Sequence, residues 1–162
     1  MHSLAAHFRT LHSLAPANKD HVSAARVAVG VAVPSLALLA AGRPELMIYA
    51  VFGALTGMYG RNEPHQLRLK HQGQAAFLLV GGLAVGVSLS INQLHSWVLV
   101  VTETLLAAAG SLFADKVALK PAGPFFGILA LGACASVPTT VHWHTAVLIG
   151  ALSAAWSLAV GL

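Results

Sequence analysis

Residues 75–91, AAFLLVGGLAVGVSLSI, and residues 97–114, WVLVVTETLLAAAGSLFA, are two apolar runs joined only by Asn92–Ser96. At about 1.5 Å of rise per residue, each makes a helix roughly 25–27 Å long, close to the thickness of a bilayer's hydrocarbon core. The five residues between them leave room only for a tight antiparallel hairpin. The pair therefore reads as two consecutive membrane crossings.

The same pattern extends outward in both directions. Apolar runs near Val22–Ala41, Pro44–Tyr59, Phe125–Val141 and Thr145–Leu162 bring the expected number of crossings to six, with Gly42–Arg43 forming a second tight hairpin. Several runs are short for the full hydrocarbon thickness, Pro44–Tyr59 the most so, and local thinning or interfacial ends are expected there. The fold class is all-α: residues 21–162 form one six-helix transmembrane module, preceded by a cytoplasmic or interfacial segment over residues 1–20.

Composition agrees. Hydrophobic residues make up 57% of the chain and charged residues only 9%, against about 25% charged in a soluble domain. Mean hydropathy is +0.75. The net charge of +4 does not point to nucleic acid, because the nine Lys and Arg are scattered among short connections rather than gathered on one face. Cys134 is the sole cysteine, so no intrachain disulfide forms. The first apolar stretch is interrupted by His2, His7, Arg9 and His12, which is not the pattern of a secretory signal. Leu4, Phe8, Leu11 and Ala15 share one helical stripe, leaving two readings: an amphipathic segment at the interface, ended by Pro16, or a cytoplasmic tail. At the other end the chain stops at Leu162 inside apolar sequence, and a cut end or an unusually short form is expected.

The basic residues orient the bundle. Arg9, Lys19, Arg26, Arg61, Arg68, Lys70, Lys116 and Lys120 fall at one end of the expected crossings, and only Arg43 falls at the other. The positive-inside rule then predicts a cytoplasmic N-terminus, and six crossings return the C-terminus to the same side. Small residues one turn apart, at Gly53/Gly57, Gly82/Gly86 and Ser153/Ser157/Gly161, allow close helix approach, either inside the bundle or between copies. Pro34 and Pro138 lie inside expected spans and are predicted to kink them, freeing the carbonyls of Gly30 and Cys134.

Glu103 is the most informative polar residue. It lies about 9 Å below the outer edge of its span, counting from Trp97, with Thr102 and Thr104 beside it as candidate anion-binding hydroxyls. A carboxylate at that depth costs several kcal/mol, roughly, unless paired or protonated. Two roles fit: a proton-coupling site, or a neutral acid bonded to a neighbouring helix. Arg26 enters the first span about one turn from its cytoplasmic end, where it either snorkels to the headgroups or attracts an anionic substrate. The depths of Arg26 and Glu103 differ too much for direct pairing. Nine histidines form no recognised metal-ligand spacing, and no nucleophilic triad, phosphate loop or dinucleotide fingerprint is present. Neither an enzyme, a cofactor nor a metal is expected.

The stretch RPELMIYAVFGALTGMYGRNEPH, residues 43–65, resembles the second span and following loop of bacterial FUSC proteins, the fusaric-acid-resistance or aromatic acid exporter group. Arg26 matches the arginine usual near the start of that domain. Residues 120–126, KPAGPFF, and 134–138, CASVP, resemble its turn and fifth span. The resemblance implies a six-helix module of the bacterial inner membrane that exports aromatic or other organic acids, often beside a cytoplasmic domain or a second module. Where modules pair, one unit supplies half of the pathway, so a homodimer or higher homo-oligomer is expected. Plant aluminium-activated malate channels are distantly similar and imply a passive anion pore instead. Three functions thus stand open: a proton-coupled exporter of organic anions, a passive anion channel, and a membrane subunit that transports nothing by itself.

Overall fold

A computed structural model describes residues 20–60, 63–93, 95–119 and 123–162, and all regular structure among them is helical. The expected N-terminal segment ending at Pro16 lies outside the described residues, as do Arg9, Lys19, Arg61 and Lys120. In chain order the helices are α1 (Asp20–Ala40), α2 (Met47–Ala54), α3 (His65–Ile91), α4 (Ser96–Lys116), α5 (Phe125–Ser136) and α6 (Trp143–Gly161). Turns of 3₁₀ helix at Pro44–Leu46 and Leu55–Met58 extend α2 at both ends.

Four of these helices, α1, α3, α4 and α6, are long and apolar enough to cross a membrane. The other two are short. The second rod, Pro44–Met58, reaches about 26 Å only because its 3₁₀ turns rise faster than an α-helix. Helix α5, with 12 residues, spans about 18 Å and is the shorter of the two. It ends at Ser136 rather than Val141, so Pro138 does not kink a helix but follows one. Val137 is extended (φ −94°, ψ 126°) because a residue preceding proline is pushed out of the α region. Pro34 does sit inside α1.

Neighbouring contacts establish the directions of the rods. Gly53 and Gly57 on α2 meet Gly150 and Ser157 on α6 in the same order along both, so these two run parallel. Gly82 and Gly86 on α3 meet Gly127 and Leu131 on α5 likewise, whereas Leu83 against Gly150 and Gln72 against Gly161 make α3 and α6 antiparallel. All six rods alternate in direction. The glycine and serine series are thereby consumed within the bundle: a Cβ on Gly53 would collide with the Gly150 carbonyl oxygen, and one on Gly82 with that of Gly127. The first hairpin closes as its Gly42–Arg43 connection requires. Gly42 adopts φ +69° while its N–H bonds Leu39 O and that of Arg43 bonds Leu38 O, a Schellman cap that satisfies the last carbonyls of α1.

Helices α3 and α6 are central, with α2 and α5 against them and α1 covering α2 and α6. Helix α4 is peripheral and buries only Gly110 and Ala114. Its outward face presents Val101, Leu105 and Leu112, and α1 presents Leu36 and Leu39. An apolar exterior around a small-residue interior is the packing suited to lipid, where close van der Waals fit replaces the hydrophobic effect.

Candidate functional site

One continuous stripe of α3 is buried, running through Ala75, Leu79, Gly82, Leu83, Gly86 and Val87 at steps of three and four. Extended toward the N-terminus at the same period, it passes through Gln72, His71 and Arg68, all buried as well. The helix starts at His65, ten residues before the apolar run, so its first turns carry a polar face into the bundle.

Arg68 is held by three carbonyl bonds. Its Nη1 donates to Gly161 O at the C-terminal end of α6 (2.6 Å), and its Nη2 and Nε donate to Glu63 O (3.0 and 3.3 Å). Satisfying the guanidinium with neutral carbonyls leaves its charge uncompensated. The nearby acid is engaged elsewhere: Glu63 Oε2 lies 2.5 Å from His71 Nδ1, and the two side chains are only 12% and 7% exposed. Gly60 (φ +62°) turns the chain beneath this pair, since a Cβ there would stand 3.2 Å from Arg68 Cα and 3.3 Å from Glu63 Oε2.

Helix α1 adds Arg26 and Ser23 to the same place. With Gly57, Arg68, Gln72, Ser157 and Gly161 they enclose a cavity of about 10 Å³, room for a single water at most. Ser157 Oγ donates to Ala54 O (2.8 Å), but Gln72 Oε1, in a side chain only 2% exposed, has no partner. Arg26, partly buried, and Arg68, buried, thus line one cavity, and among the described residues that line it there is no carboxylate. Guanidinium forks suit planar carboxylates, and two of them give the cavity a lining complementary to an anion.

Glu103 occupies a different place. It is half-buried on the face of α4 toward α5, its Oε1 lying where a Cβ on Gly132 would stand, in a groove of about 360 Å³ shared with Ile128, Ala133 and Ser136. The ion pairs among the described residues are Arg43–Glu45 and Glu63–His71, so Glu103 has no cationic partner there. Thr104 is exposed, and its hydroxyl is spent on Val100 O of its own helix (2.8 Å); it is not brought to an anion site with Arg26. Thr102 is half-buried on α4, likewise apart from Arg26. Arg26 and Glu103 line separate cavities.

At the opposite end of the bundle the non-helical segment between α5 and α6 borders an open cleft of about 780 Å³ with Ser90, Thr139, Thr140, His142 and His144 on its wall. Ser90 Oγ ties that segment to α3, donating to Val137 O (2.8 Å) and accepting from Thr139 N (3.1 Å). Among the described residues no group of three His, Cys, Asp or Glu side chains is placed to hold a metal ion.

Hydropathy alone conceals Arg68, His71, Gln72 and Glu63, because it reads residues 61–74 as a loop. The signal that reveals them is the helical period of the apolar stripe carried backward by two turns. Comparison of the chain with protein-family models, with curated proteins and with solved structures finds no match, so its function is argued from these residues.

Proposed function

We propose that this chain is a membrane transport module that moves small organic anions outward, coupled to protons, as the resemblance to FUSC exporters implies. The observation that carries this reading is the convergence of Arg26 and Arg68 on one enclosed polar cavity within apolar helices. Cations carried among membrane helices mark substrate pathways, and among the described residues neither arginine forms an ion pair with an acid. All six rods cross the bilayer, the short α5 being completed by the extended chain after Ser136. The end bearing Arg26, Arg68, Lys70 and Lys116 faces the cytoplasm, which makes the arginine cavity the inner mouth.

The module works as a homodimer or larger homo-oligomer. A cavity of about 10 Å³ admits no organic acid, so the path opens by movement or runs where copies meet. Glu103, without a cationic partner, serves as the proton-coupling acid on the α4–α5 side.

Reconstitution into vesicles, with a panel of aromatic and aliphatic carboxylates tested with and without a pH gradient, decides among the functions. Uphill flux driven by the gradient supports the carrier. Flux indifferent to the gradient supports a channel, and no flux under any gradient leaves a membrane subunit.

A further inference from the structure

We infer that Glu63 and His71 form a proton-binding site that takes up a proton when an anion is seated at the arginine cavity. This rests on the anion reading of that cavity and adds to it a second proton-binding group, at the inner mouth and apart from Glu103 on the α4–α5 side.

Three features carry it. The pair is in direct contact, Glu63 Oε2 to His71 Nδ1 at 2.5 Å, and nearly sealed from solvent. It is also joined to the cavity, because Arg68 lines the cavity while donating two bonds to the backbone oxygen of Glu63. His71 follows Arg68 by three residues and lies on the same buried face of α3. An anion seated by Arg68 therefore acts on the imidazole at close range and in poorly hydrated surroundings, where charges are weakly screened.

The balance of charge sets the direction. Among the described residues Glu63 contacts His71, Arg68 donates to the Glu63 backbone and to Gly161 O at the end of α6, and Arg26 faces Arg68 across the cavity. A doubly protonated imidazole adds a further cation beside the two arginines of the cavity. Arrival of an organic carboxylate restores the balance toward neutrality and favours the added proton, which comes from water and leaves His71 Nδ1–H donating to Glu63 Oε2. Discharge of the anion reverses the preference and releases the proton. Imidazole is the side chain suited to this exchange, since it titrates at about pH 5–8.

The test is proton uptake on binding. Benzoate is added to the reconstituted protein in weakly buffered solution at fixed pH values between about 5 and 8, with bound benzoate and released or absorbed protons measured together. The expected result is uptake of a fraction of a proton per benzoate bound, absent in His71→Gln, which still binds benzoate, and retained in His95→Gln, an exposed histidine at the other end of the bundle. Benzoate bound without proton uptake by the parent protein, or uptake persisting in His71→Gln, overturns the proposal. Should His71→Gln lose binding, nitrogen-15 spectra of the parent decide: benzoate must drive the His71 ring toward the doubly protonated form, and an unchanged ring overturns the assignment. No benzoate binding at all defeats the anion reading itself, a different outcome from binding without protons.

Discussion

Gly81 and Gly82 are neighbours on α3, yet the same substitution should have opposite effects at the two. A Cβ on Gly81 meets nothing within 4 Å, whereas one on Gly82 collides with Gly127 O and stands 3.0 Å from the Gly127 carbonyl carbon. Both obstructing atoms are backbone, so no rotamer relieves the overlap, and α3 and α5 must separate by on the order of 1 Å to restore a normal carbon–oxygen contact. Separation also loosens Gly86 against Leu131 one turn further on. Overpacking of this kind costs about 1–3 kcal/mol, offset by up to about 1 kcal/mol from replacing glycine in a helix interior. Gly82→Ala is therefore expected to destabilise by about 1–2 kcal/mol and Gly81→Ala to be neutral or stabilising by up to about 1 kcal/mol. Reversible unfolding in mixed micelles, followed by tryptophan fluorescence, measures both. Equal effects at the two positions would refute the α3–α5 contact.

Further outcomes follow from the polar residues and the topology. Arg68→Met should destabilise more than Arg26→Met, by about 1–3 kcal/mol, because it strips Gly161 O and Glu63 O of their donor; the same unfolding assay compares them. Reporters inserted at Asn92–Ser96 and Glu63–Lys70 should appear on opposite sides of the membrane, the second in the cytoplasm, and an external Glu63–Lys70 reporter would reverse the assigned inner mouth. Glu103→Gln keeps the shape of the neutral acid but cannot titrate, so it should abolish gradient-driven flux and spare downhill exchange. Unchanged uphill flux would reduce Glu103 to a packed polar group.

Much of the fold was legible because hydropathy and helix period are strong signals over long apolar runs. The two hairpins at Gly42–Arg43 and Asn92–Ser96 needed only the shortness of their connections, and the small residues of α2, α3 and α6 announced close packing before any partner was known. Hydropathy failed where a helix buries polar groups: His65–Gln74 is too polar to score as a crossing, though its buried face continues that of Ala75–Val87. At α5 the rule that a residue before proline leaves the helix would have ended the element near Ser136, and the apolar run through Val141 masked it. The site divided in the same way. Arg26 and Glu103 were visible as charges in apolar surroundings, but sequence could not tell that Arg26 shares a cavity with Arg68 while Glu103 and Thr104 lie elsewhere.

The proposed anion site at Arg26 and Arg68 is tested most directly by the salt dependence of benzoate transport in vesicles. Raising ionic strength from about 20 mM to about 300 mM shortens the Debye length several-fold and should weaken the attraction of the inner mouth. In the parent protein the apparent KM should rise steeply with salt; in Arg26→Gln it should already be high at low salt and rise less. A parent KM indifferent to salt, together with an Arg26→Gln protein that transports benzoate as the parent does, would contradict the account.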